Sequence, residues 1–353
     1  MASESADGLP KSIGFVGLGA MGKHMAVNLA KSLPSDSTLY VHDIMVAVVE
    51  EVAGSFTDLV VKCVSAKEVA EKSVCVPSLN HPFEDGYLLF QTVTANNISK
   101  QDVILTMLPE GAHVKSVYLD PATGIIAALS SSSAKLLIDS STIDTATNLH
   151  VKEELSKVSP ETTFYDAPVS GGTLGAVNAT IAFFLGSAPS DTNIGRLTAL
   201  LKTMGTKVIP CGGPSLGLAA KLSNNYLSGI ITIACSEAMD MGMRAGIDAE
   251  VLASVFAAGT AQNTICDVFN PVPGVCPKAP PSNGYRGGFR VQLMRKDIGL
   301  AVDMARRVGA RNVLGASGLG VYAAASDASD CKDLDSRVVY RYLGGKENWK
   351  TVD

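Results

Sequence analysis

Apolar and polar positions follow two different rhythms along the chain. In roughly the first 213 residues, short unbroken apolar runs are separated by stretches with helical spacing. The runs are IGFV at 13–16, TLYVH at 38–42, LVVKCV at 59–64, DVILTML at 102–108, AKLLID at 134–139, TFYD at 163–166, IAFFL at 181–185 and KVIP at 207–210. Such runs are read as strands in an α/β pattern, and DVILTML and AKLLID are of the kind found in buried parallel strands. Helical segments are expected after residue 21, around 45–53, and in SAKEVAEKS at 65–73, where Ser65 supplies a cap. After Gly212-Gly213-Pro214 the rhythm changes. Residues 215–246 are almost continuously apolar and helix-forming, too long for a crossover helix, and the remainder reads as helical apart from a loop rich in proline and glycine at 270–288. The pattern predicts an α/β domain over 11–213 and an all-α domain over 214–345.

The first strand runs directly into Gly17-Leu18-Gly19-Ala20-Met21-Gly22, a GxGxxG turn that opens a helix. The first glycine permits the tight turn, the second lets backbone N–H groups approach a pyrophosphate, and the third allows close packing of helix on strand. Glycines at this spacing also occur in ordinary loops, so context decides. Here the second strand ends in Asp43, 21 residues beyond Gly22. A carboxylate there can accept both hydroxyls of an adenosine ribose and would repel a 2′-phosphate, so NAD is expected rather than NADP. The segment His42-Asp43-Ile44-Met45 supplies no arginine for such a phosphate.

Composition narrows the function classes. A net charge of −5 with scattered basic residues argues against a nucleic-acid partner. No apolar run reaches the roughly 18–20 residues that span a bilayer, so a soluble protein without a membrane partner is expected. The acidic first residues, MASESADGLPK, resemble neither a signal peptide nor a mitochondrial presequence. Seven cysteines lie far apart without CxxC spacing, and are read as reduced, mostly buried thiols rather than metal ligands.

Taken in order, GFVGLGAMG, TMLP, LLIDSSTID, DAPVSGG, AAKLSNN, EAM, NPVPGV, YRGGF and LMRKDIGLA resemble the β-hydroxyacid dehydrogenase family over nearly the whole chain, and the last motifs point to its 3-hydroxyisobutyrate branch. The resemblance implies a Rossmann-type, NAD-binding N-terminal domain and an all-helical substrate and oligomerisation domain, with the active site between them. It implies NAD-dependent oxidation of 3-hydroxyisobutyrate to methylmalonate semialdehyde, a step of valine breakdown, by a homo-oligomer (dimer or tetramer). That role implies a mitochondrial location, while the lack of a recognisable presequence leaves a cytoplasmic location as the alternative. The catalytic residue carried over is Lys221. The substrate side takes Ser141, Ser170, Gly171, Gly172, Asn224 and Asn225. The cofactor side takes residues 17–22, Asp43, Leu108, Pro109, Thr142 and Lys296, with His113 where the family often has asparagine.

A lysine on an apolar helix is costly to bury without a purpose, and burial lowers its pKa towards working pH, which suits a general acid/base. Asn225 lies one turn on and shares its face. Lys296 has a structural alternative, an ion pair with Asp297 or Asp303. Two other readings of the chain stand beside this one: a glyoxylate or succinic semialdehyde reductase, normally NADPH-linked, and a non-catalytic module that has kept the fold. Residues 74–101 depart from the family, which passes almost directly from the helix to DVILTMLP. The codons of Val74-Cys75, Ala95-Asn96 and Gln101 can encode intron signals, so this stretch reads as a retained intron in preference to a surface insertion.

Overall fold

The computed structural model describes residues 9–73 and 102–350, so the insertion at 74–101 lies outside the described residues. Strands β1 (Ser12–Val16), β2 (Thr38–His42), β3 (Val60–Lys62), β4 (Asp102–Thr106), β5 (Lys135–Asp139) and β6 (Thr163–Asp166) form one parallel sheet in the order β3-β2-β1-β4-β5-β6. This is the doubly wound order, whose direction reverses between β1 and β4. Every residue of β1 and β5 is buried, as expected for strands covered on both faces. The crossover helices are α1 (Gly22–Ser32), α2 (Val46–Ser55), α3 (Ala66–Lys72), α4 (Gly111–Leu119) and α5 (Thr145–Val158). Ser65 caps α3 as predicted, its hydroxyl accepting from the Glu68 N–H at 3.1 Å, while the Glu68 carboxylate accepts from the Val64 N–H at 2.6 Å.

Beyond β6 a second sheet forms from β7 (Val169–Ser170), β8 (Ile181–Leu185) and β9 (Gly205–Pro210). Helices α6 (Gly172–Val177) and α7 (Ile194–Leu201) lie between these strands in sequence. The chain divides into compact units at residues 1–218 and 219–353.

In the second unit, α8 (Leu216–Arg244) is followed by α9 (Ala249–Ala258), α10 (Thr264–Val268), α11 (Val291–Arg307), α12 (Gly315–Asp327) and α13 (Val339–Tyr342). The buried positions of α11, Val291, Met294, Ile298, Ala301 and Ala305, recur at helical spacing. Its Ile298 meets α8 where a Cβ on Gly229 would stand 2.7 Å from the isoleucine Cδ1. Among the described residues, no helix is long and apolar enough to cross a membrane. The described cysteines are free thiols: four are buried and Cys211 and Cys276 are half-buried.

Lys135 on β5 reaches both flanks of the undescribed insertion. Its ammonium donates to the Ser73 carbonyl at 3.3 Å and to Asp102 Oδ2 at 3.1 Å. Because the flanks are held by a third strand, replacing 74–101 with a short Gly/Ser linker should leave a soluble protein whose cooperative thermal transition moves by no more than a few degrees. Circular dichroism melting of the deletion variant checks this; an insoluble product beside a well-behaved full-length chain would make the segment part of the fold.

Candidate active site

The cofactor half is built at the carboxyl ends of the parallel strands. Gly17 has φ +93°, and a Cβ there would stand 2.4 Å from the Met107 carbonyl oxygen; at Gly22 it would stand 1.9 Å from the Gly17 oxygen. Only glycine permits β1, β4 and α1 to meet this closely. By contrast, a Cβ on Gly19 would meet nothing within 4 Å, which leaves the turn open on that face. The first turn of α1 carries no acidic residue and no side-chain cap, so its positive end is free of a competing anion from the chain.

Asp43 is fixed from two sides. Its Oδ2 accepts from the Leu18 N–H at 2.6 Å and its Oδ1 from the Met45 N–H at 2.7 Å. The carboxylate therefore ties the end of β2 to the glycine turn, and each oxygen keeps further acceptor capacity for a ribose hydroxyl. An open glycine cradle, an uncapped helix start and a fixed carboxylate fit a dinucleotide.

At the ends of β4 and β5 a buried acid organises the next group of predicted residues. Asp139 is fully buried, and its Oδ1 accepts from the Ser141 hydroxyl at 2.5 Å and the Thr106 hydroxyl at 2.7 Å. Ser141 Oγ in turn accepts from the Leu108 N–H at 2.8 Å. The serine proton is committed to Asp139, so Ser141 holds the Leu108 backbone in place. Burial pushes Asp139 up to about 6, against the hydrogen bonds from Ser141 and Thr106 that favour its anion. Thr142 follows, half-buried, and Pro109 and His113 are exposed near the start of α4. In the second sheet, Ser170 ends β7, and Gly171 and Gly172 are exposed at positive φ where α6 begins.

Asp166, at the end of β6, is a second buried acid. Its oxygens accept from the N–H groups of Ser215 at 2.7 Å and Leu218 at 2.8 Å, which satisfies donors at the start of α8. Burial raises its pKa while these backbone bonds oppose the rise.

The second unit holds the lysine and the two asparagines. Lys221 is 7% exposed, and burial lowers its pKa to about 8; Asp297 opposes the fall and Lys296 adds to it. Asn225 Nδ2 donates to Asp297 Oδ2 at 2.6 Å, and Asn224 Nδ2 donates to Asn225 Oδ1 at 3.1 Å. Lys296 forms an ion pair with Asp297 Oδ1 at 3.2 Å, the structural alternative weighed from sequence. The sequence reading gave Asp297 no part of its own, and it missed Asp139 and Asp166. The available signal was an ionisable residue closing an otherwise apolar strand, as in LLID and TFYD. Asp297 carries none, because its partner Asn225 lies 72 residues away. Among the described residues, no group of three or more histidine, cysteine or acidic side chains could hold a metal ion.

A parallel doubly wound sheet with a glycine cradle and a fixed carboxylate at the end of β2 defines a nicotinamide-dinucleotide-binding oxidoreductase. A family profile described as the NAD binding domain of 6-phosphogluconate dehydrogenase matches residues 12–213, and one described as NAD-binding of NADP-dependent 3-hydroxyisobutyrate dehydrogenase matches 216–343. The chain is 35% identical over 337 residues to the mitochondrial 3-hydroxyisobutyrate dehydrogenase of Drosophila melanogaster, covering 95% of this chain and 90% of that protein. It is 33% identical over 338 residues to the human mitochondrial enzyme of the same name, covering 96% and 88%. The solved 3-hydroxyisobutyrate dehydrogenase of Mycobacterium tuberculosis with L-serine superposes with a TM-score of 0.77 at 31% identity, covering 95% of this chain and 99% of that one. The chain belongs to the 3-hydroxyisobutyrate dehydrogenase family.

The buried acid at the β5 end has a measurable signature. With its folded pKa raised above the unfolded value of 3.8, Asp139 holds its proton longer in the native state, so it lowers stability as pH rises from about 4 to about 6. Asp139→Asn keeps an acceptor for Ser141 but removes the titration. Across that window the unfolding free energy of the unsubstituted chain should fall by on the order of 2–3 kcal/mol relative to the variant. Urea unfolding at several pH values checks this, and parallel profiles for the two proteins would exclude it.

Proposed function

We propose that this chain is an NAD-dependent 3-hydroxyisobutyrate dehydrogenase that oxidises 3-hydroxyisobutyrate to methylmalonate semialdehyde. The observation that carries the proposal is Lys221, a buried ammonium brought down to about 8 beside Asn225 and Asp297. An amine poised there can take the hydroxyl proton of the substrate as a base and return it in the reverse reaction as an acid. When bound, NAD supplies the acceptor for the hydride that leaves the carbinol carbon. Asn225 spends one amide proton on Asp297 and receives Asn224 on its oxygen, which leaves its second N–H for the substrate. Ser170 and the Gly171 and Gly172 amides offer small donors for the substrate carboxylate. Ser141 acts with them by holding Leu108, which with Pro109, Thr142, His113 and residues 17–22 forms the cofactor side. Lys296 acts through Asp297, setting the field around Lys221.

Asp43 supports NAD over NADP, despite the NADP-dependent wording of the second family profile. The same carboxylate speaks against an NADPH-linked glyoxylate or succinic semialdehyde reductase. Exposed apolar residues of the helical unit, among them Leu227, Met241, Val251 and Val255, support a homo-oligomer. The names of the insect and human relatives support a mitochondrial location.

Two experiments test the assignment. Lys221→Ala should lower turnover of 3-hydroxyisobutyrate by at least about 10²-fold, and Lys221→Arg should recover little, because guanidinium does not release its proton at working pH. In the intact enzyme kcat/KM for oxidation should rise with pH and level off above about 8, where the amine is neutral; for aldehyde reduction it should fall above that value. Near-normal oxidation by Lys221→Ala would refute the lysine's role. Separately, Asp43→Ala combined with Ile44→Arg should move preference from NAD towards NADP, since a repulsive carboxylate leaves and a phosphate partner arrives. An unchanged ratio of kcat/KM values would remove Asp43 from the ribose.

A further inference from the structure

Asp43 lines a cavity of about 690 Å³ together with Ile44, Val46, Glu50, Lys62 and Val64. Lys62 is the last residue of β3, in register with Val41 of the neighbouring β2, two residues before Asp43. Its ammonium is where a 2′-phosphate on the ribose could find a cation. Yet it donates to both oxygens of Glu50 on α2, at 2.8 and 2.9 Å. Both side chains are about half exposed, 51% for Lys62 and 56% for Glu50. A solvent-exposed pair of this kind adds little to stability, so its placement at the cavity mouth is not explained by folding.

We infer that Glu50 is a second determinant of cofactor choice, acting by occupying Lys62 so that no cation at the adenosine cavity is available to a 2′-phosphate. This rests on the NAD-dependent reading above and extends it. Asp43 repels the extra phosphate directly, and Glu50 withdraws the positive charge that would compensate. Selection for NAD is then distributed over two elements, the end of β2 and the second turn of α2.

The test is the ratio of NADP to NAD affinity, measured by calorimetric titration of the full chain with each dinucleotide and so independent of any substrate. Glu50→Gln should improve that ratio for NADP by at least about fivefold at roughly 0.01 M salt, and the gain should shrink at about 0.15 M as screening shortens from ~30 to ~8 Å. Glu50→Gln combined with Lys62→Ala should lose the gain, because the freed ammonium is its source. Thermal transitions of both variants should match the parent within a few degrees, as befits an exposed pair. A ratio within twofold of the parent for Glu50→Gln, or a gain that survives Lys62→Ala, overturns the inference. Failure of the parent to oxidise 3-hydroxyisobutyrate while binding NAD would overturn the substrate assignment alone, and the affinity ratio would still decide the role of Glu50. Failure to bind NAD at all would overturn both.

Discussion

The contact on which the dinucleotide half depends is the near-touching of α1 and the turn that precedes it. A methyl group at Gly22 would overlap the Gly17 carbonyl, and one at Gly17 would overlap the backbone of Met107. Because nothing stands between these segments, the first turn of α1 begins directly over the end of β1, at the point where strand order reverses. The Leu18 N–H is then placed to meet Asp43, and through Asp43 the end of β2 is registered to the same turn. Sheet geometry, helix position and the Asp43 carboxylate are one arrangement, and a side chain at either glycine would disturb all three.

Three buried acids do comparable work elsewhere. Asp139 gathers Thr106 and Ser141 and, through the serine, the backbone of Leu108. Asp166 receives N–H groups at the start of α8. Asp297 receives Asn225 and stands beside Lys296. An ionisable group away from water is unfavourable unless it is hydrogen-bonded, and each of these is bonded to segments that would otherwise leave donors unsatisfied. The raised pKa values of Asp139 and Asp166 record the residual cost of that burial. The lowered value of Lys221 is the same effect with opposite sign, since burial disfavours the charged form of either group.

Much of this was legible in the residues. The apolar runs located the strands, because strands covered on both faces leave little room for polar residues, and the glycine spacing located the tight turn between β1 and α1. Strand ends were less legible. DVILTML reads as a strand to Leu108, but β4 stops at Thr106, whose hydroxyl is taken by Asp139, while the Leu108 N–H turns to Ser141. The two-residue β7 is too short to show a period, so the small second sheet was not foreseen as a unit. Lys221 and its asparagines were marked by their unusual setting on an apolar helix. The ion pair of Asp297 with Lys296 was within reach, but its bond to Asn225 was hidden, because neighbours joined only in space leave no spacing to read.

Lys135 gives the chain an unusual freedom. One ammonium grips residues on both sides of the stretch from 74 to 101, and it does so from β5, which the path of that stretch does not touch in sequence. Continuity of the polypeptide is thus not what keeps β3 and α3 in step with β4: β1 pairs with both β2 and β4, and the lysine closes the gap at the rim. The segments on either side of that stretch are joined through the sheet as well as along the chain. A change of length at such a seam leaves the contacts of Asp43 with Leu18 and of Ser141 with Leu108 where they are, because neither of them is made by the residues that flank it.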